Sequence, residues 1–196
     1  MANSHSDHEH DASCAVAHGT APTGDAIAHG TAKAPAEQRT LAAVFASPVA
    51  SFLLRYAADT GYRAVLVEPD PERAKAGAAQ ADETGPADLE IVATLDGVAD
   101  GHTDVVVTDH HRDELGIQLR DALALGARWV GIMGNPRVAG PHIAALTELG
   151  VQQSEIAKVH RPIGLNIGSR RPAEIAIATI AGLIADRNGK PGGLSF

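Results

Sequence analysis

Four stretches of this 196-residue chain combine residue types that could do chemistry. The first is Thr108-Asp109-His110-His111, directly after an apolar run, where an acid beside two imidazoles can bind a metal, move a proton or hydrogen-bond a ligand. Adjacent histidines on an extended loop are expected to diverge, and the plainer role for Asp109 is to cap the following helix. The second is Gly131 to Arg137. Gly134 permits a sharp turn there, Asn135 can cap a helix opened by Pro136, and Arg137 in that helix's first turn opposes the dipole unless it serves an anion. In the third, Arg161 to Ala176, Gly164 and Gly168 bracket an irregular stretch with Asn166 between them. Arg170 and Arg171 precede a helix opened by Pro172, and two arginines at a helix N-terminus suit an anion. The plainer alternative is that these glycines only form turns and one arginine pairs with Glu174. The fourth is the leader, where His5, His8, His10, His18, His29 and Cys14 could hold Zn²⁺, Ni²⁺ or Cu²⁺ loosely, although their spacing matches no structural zinc motif.

The elements that must position these groups follow from periodicity. Residues 1–38 carry no apolar period and are expected to be a disordered His-rich tail. After Thr40, short β-branched runs alternate with helical segments, the order that produces a parallel sheet with crossover helices. Strands are expected at 41–46, 64–67, 89–93, 104–108 and 128–132. Helices are expected at 48–60, 71–81, 112–125, 136–149 and 172–188, with one turn near 154–159. The fold class is α/β, a Rossmann-like doubly wound, mainly parallel sheet with helices on both faces. The domain spans 39–189, and 190–196 is expected to be a flexible C-terminal tail.

In such a sheet, ligands sit at the carboxyl ends of the strands, and the first strand-to-helix turn normally offers glycines and helix N–H groups to a pyrophosphate. Here that turn reads Phe45-Ala46-Ser47-Pro48, without the glycines. Side chains at Ala46 and Ser47 hinder close backbone approach, and Pro48 removes a donor. Glu68 ends the second strand, where an acid can accept hydrogen bonds from a ribose diol, or simply begin a solvated Glu-Pro-Asp-Pro turn. Binding of NAD(P) in the usual mode is therefore the less favoured expectation, and the alternative readings are a nicotinamide-dependent oxidoreductase and a ligand-free Rossmann scaffold acting through protein contacts.

The segment Pro162-Ile163-Gly164-Leu165-Asn166-Ile167-Gly168-Ser169-Arg170-Arg171-Pro172-Ala173-Glu174-Ile175-Ala176 resembles the signature of the XdhC/CoxI family. Thr103 to Thr108, the Gly131 to Arg137 turn and Leu146 to Gly150 resemble family segments in the same order. The resemblance covers roughly 41–189. It implies an accessory protein, a maturation factor rather than a catalyst, for a molybdenum hydroxylase of the xanthine dehydrogenase or carbon monoxide dehydrogenase type. It also implies binding, sulfuration assistance or insertion of the molybdenum cofactor (molybdopterin), whose phosphates arginines can hold bidentately. The implied partners are that client enzyme and a cofactor sulfurase, with a homo-oligomer as an open alternative. The candidate cofactor-binding residues are Ser47, Glu68, Asp109, His110, His111, Gly134, Asn135, Arg137, Gly164, Asn166, Gly168, Arg170 and Arg171. Asn166 stands where the family signature carries Asp. No counterpart of the family's N-terminal Gly-Gly-Cys-Val-Glu-like motif occurs in the sequence.

Bulk composition narrows the alternatives. Aromatic residues are 3% of the chain, the net charge is −8 and no basic run occurs, so the features that grip phosphate backbones and stack bases are missing and nucleic acid is not an expected partner. No apolar run reaches the roughly 20 residues of a membrane span, and the N-terminus has no basic segment followed by an apolar one. A lone Cys14 cannot form an internal disulfide. Together these features lead to the expectation of a cytoplasmic protein without a membrane partner.

Overall fold

A computed structural model of the chain describes residues 39–135 and 137–193, together with Asp25, Ala26 and His29. The expectations of disorder and metal handling over 1–38 fall almost wholly outside the described residues. The chain divides into two units, 1–37 and 38–196; in the first, Asp25 and Ala26 are helical and the His29 backbone N–H donates to the Asp25 carbonyl at 3.0 Å.

The second unit is a five-stranded, all-parallel sheet in the order β3-β2-β1-β4-β5. Its strands are β1 (Thr40–Val44), β2 (Arg63–Val67), β3 (Glu90–Val92), β4 (Thr103–Val107) and β5 (Trp129–Ile132). The helices are α1 (Pro48–Asp59), α2 (Pro71–Thr84), α3 (Leu115–Ala124), α4 (Pro141–Glu148), α5 (Gln153–Ile156) and α6 (Pro172–Arg187). β1 and β4, at the centre, are buried along their whole length. Both faces are covered by helices, so β1 and the Val105–Val107 part of β4 read as runs without polar alternation, and Asp104 is buried with Arg128 as its partner.

Alternate strand residues serve two cores. Ala42, Val44, Val65, Val105 and Ile132 pack with Leu115, Leu119 and Leu146 from α3 and α4. Leu41, Ala43, Leu66 and Val106 pack with Leu53 and Leu54 of α1 and Ile180 and Leu183 of α6. Ser47 caps α1 by accepting from the Ala50 N–H at 3.0 Å, and Asp70 caps α2 by accepting from Glu72 and Arg73. At the amino end of the sheet, Arg128 bridges Asp104 of β4 (2.6 Å) and Asp186 of α6 (2.7 Å). That pairing fixes the direction of α6: its C-terminus lies at the amino ends of the strands, and its 16 residues, at about 1.5 Å each, carry its N-terminus toward the carboxyl ends.

Two expected helices start later than periodicity predicts. α4 begins at Pro141, not Pro136, because the side chain of Arg161 holds the carbonyls of Asn135 and Val138 in the preceding loop. α3 begins at Leu115, leaving 108–114 as a longer connection, and no side chain caps it. Beyond α6, the Lys190 N–H still donates to the Ala185 carbonyl at 2.8 Å. No helix among the described residues is long and apolar enough to cross a membrane.

Candidate functional site

The carboxyl ends of β1, β2 and β4 meet at the first turn. Phe45 directly follows β1 with φ 74°, the only positive φ at a described non-glycine residue, and its side chain is buried. The turn is tied down from two sides. The Thr108 hydroxyl donates to the Phe45 carbonyl at 2.8 Å and lies 3.0 Å from the Ser47 hydroxyl. Glu68 reaches back from β2, its Oε2 accepting from the Ala46 N–H at 2.8 Å and its Oε1 from the Asp70 N–H at 3.1 Å.

Glu68 is 2% exposed and is not the solvated acid of an open turn. The guanidinium of Arg112 donates to it through Nη1 (3.1 Å) and Nη2 (3.0 Å), and also contacts Glu114. Burial pushes the Glu68 pKa up, but the hydrogen bonds from Arg112, Ala46 and Asp70 and the Arg112 charge outweigh it and hold the carboxyl below its ordinary value. Arg112 in turn stands 4.5 Å from the centre of the Phe45 ring. The Ala46 N–H and both oxygens of Glu68, the groups this turn would offer a phosphate oxygen and a ribose diol, are already engaged within the protein.

The loop after β4 departs from expectation in two respects. Asp109 does not cap a helix; its Oδ1 accepts from the His111 N–H at 2.9 Å and closes a local turn. The histidines do not diverge, because that turn folds their rings to 4.1 Å between centroids. His110 is half-buried against the Met133 backbone, and burial, then the neighbouring His111, lower its pKa. Among the described residues no group of three or more His, Cys, Asp or Glu is placed to hold a metal.

Around the carboxyl end of β5 the organising residue is Arg161. Its Nη2 donates to the Asn135 carbonyl and its Nη1 to the Val138 carbonyl, both at 2.8 Å. Gly134 cradles the same guanidinium, since a Cβ there would come within 2.8 Å of Nε. Asn135 accepts from the Arg137 N–H at 3.0 Å instead of capping a helix. Arg137 is thus an exposed loop residue, and the dipole mismatch expected of it does not arise. His142, 6% exposed at the start of α4, has its pKa lowered by burial and then by Arg161.

Gly164 presses onto α6, where a Cβ would lie 2.9 Å from the Ala178 backbone. Asn166 and Gly168 are exposed. Arg170 and Arg171 are exposed ahead of α6, and Glu174 accepts from their backbone N–H groups at 3.1 and 3.2 Å rather than pairing with either guanidinium. Ser47 and Glu68 therefore join the 108–112 loop at one turn. Gly134, Asn135 and Arg137 form a second group under Arg161, and Arg170 and Arg171 a third. Trp129 and His160 stack at 4.8 Å, flanked by cavities of about 260 and 360 Å³ on the β5 edge rather than at the first turn.

Sequence reasoning missed Arg112, Arg161 and His142. The first two act across 44 and 26 residues, separations no local pattern reports.

The sequence model of the XdhC Rossmann domain matches residues 41–183. The chain belongs to this family. The curated "Uncharacterized protein YqeB" of Escherichia coli (strain K12) is 32% identical over 103 residues, covering 53% of this chain and 18% of YqeB. A crystal structure described as a xanthine dehydrogenase (BH1974) from Bacillus halodurans superposes with a TM-score of 0.59 at 23% identity, over 81% of this chain and 46% of that one. At that identity the likeness shows the fold. This XdhC domain spans less than half of that chain and less than a fifth of YqeB.

Proposed function

We propose that this XdhC domain is an accessory protein for a molybdenum hydroxylase of the xanthine dehydrogenase or carbon monoxide dehydrogenase type. In this reading it holds the molybdenum cofactor by its phosphates while the cofactor is sulfurated or inserted. The family match over 41–183 carries the reading. Two groups of side chains support it: Arg137 follows β5, and Arg170 and Arg171 precede α6; all three are exposed, and none is engaged in an ion pair among the described residues. Guanidinium forks suit phosphate oxygens, and the α6 N-terminus adds a favourable field. The cofactor supplies the redox chemistry of the client enzyme; the arginines of this chain bind and orient it. The partners in this account are the client hydroxylase and a cofactor sulfurase.

The nicotinamide alternative draws no support from the first turn, where Glu68 is taken up by Arg112. The test of the accessory role is co-production of the client enzyme with the chain carrying Arg137→Ala, Arg170→Ala and Arg171→Ala. A fall in client molybdenum content and activity is expected. Unchanged content and activity would remove the proposal.

A further inference from the structure

Glu68 stands where a dinucleotide-binding fold places the acid that receives a ribose diol, at the carboxyl end of the second strand beside the first strand-to-helix turn. A diol presents that acid with two neighbouring O–H donors. Arg112 presents it with two neighbouring N–H donors, one to each oxygen. The side chains of the pair are 7% and 0% exposed. Ala46, whose N–H in an open turn would face a phosphate oxygen, donates to the same carboxylate.

We infer that Arg112 is an internal stand-in for a nucleoside: it takes the diol's place on Glu68 and closes the ribose position of the first turn. An ion pair buried this deeply is a poor device for stability alone, because desolvation offsets much of the Coulomb gain and an apolar pair of equal volume serves as well. The fork geometry has a specific consequence, in that it saturates both oxygens at once. Lysine, a point charge, could not do so. The inference concerns which ligands the first turn refuses and stands independently of the accessory reading.

The test is isothermal titration of wild type, Arg112→Ser and Arg112→Lys with adenosine, beside 2′,3′-dideoxyadenosine, which lacks the diol. Wild type is expected to bind neither at millimolar concentration. Arg112→Ser should bind adenosine at least about tenfold more tightly than wild type, with Arg112→Lys intermediate and dideoxyadenosine bound by none. Arg112→Ser leaves Glu68 buried without its partner, so it is to be checked for folding by circular dichroism. If it is unfolded, Arg112→Lys, which keeps the charge, decides. Equal adenosine binding by wild type and variants, equal binding of dideoxyadenosine, or no gain in the folded variants would each overturn the inference.

Discussion

Arg161 and Asn135 are joined by a 2.8 Å hydrogen bond from Nη2 to the Asn135 carbonyl, and the same guanidinium holds the Val138 carbonyl. One side chain thus fixes the loop that presents Arg137. Arg161→Ala should loosen residues 134–140 and cost about 1.5–3 kcal/mol, the range for losing charge-assisted hydrogen bonds. Urea denaturation gives the cost, and faster amide exchange confined to 137–140 would locate it. Arg161→Lys should recover only part, because an ammonium cannot span two carbonyls as a fork does.

The signature glycines are not equivalent. Gly164 has φ 80° and faces the Ala178 backbone, whereas Gly168, with φ 69°, has nothing within 4 Å of the place a Cβ would occupy. Gly168→Ala should cost about 1–2 kcal/mol from backbone conformation alone. Gly164→Ala should cost more, because the loop must also lift from α6. Thermal unfolding of the two variants checks the order, and equal midpoints would contradict it.

Acid should weaken this domain from an unusually high pH. His142 and His110 both have folded pKa values below the ordinary 6.5. As pH falls through 6.5 the unfolded chain takes up protons that the folded chain refuses, so the unfolded state binds more protons and stability drops. The lowered carboxyls Glu68 and Glu114 act later, below their ordinary 4.5. Urea midpoints at pH 7.5 and 5.5, values chosen to straddle the histidine range, should differ in wild type. They should differ less in His142→Gln, and an undiminished difference would refute the assignment.

Much of the fold is legible in the sequence because the runs Ala64–Val67 and Val105–Val107 are apolar and β-branched-rich and Pro48, Pro71 and Pro172 each open a helix where periodicity expects one. The start of α4 is not legible. Both Pro136 and Pro141 suit a first helical position, and the choice falls to Arg161, which captures the carbonyls of Asn135 and Val138. The site shows the same division. Ser47 capping its helix can be read locally, while the state of Glu68 depends on a cation 44 residues away. The expectation that His110 and His111 diverge fails because the Asp109 turn bends a backbone that sequence alone describes as extended.

The Glu68–Arg112 pair also bears on stability. Glu68→Gln should cost about 3–5 kcal/mol, the range for leaving one member of a buried pair uncompensated. Chemical denaturation measures it, and a change within the scatter of surface substitutions would contradict the burial described for this pair.

If the arginines of this XdhC domain hold the molybdenum cofactor, the purified protein should bind it directly. Anaerobic isothermal titration with molybdenum cofactor, beside NAD(H), decides the matter for wild type and Arg171→Ala. Micromolar binding of the molybdenum cofactor, weakened in Arg171→Ala, is expected, with none of NAD(H). Absence of cofactor binding, or binding that Arg171→Ala leaves unchanged, would contradict the role proposed for these arginines.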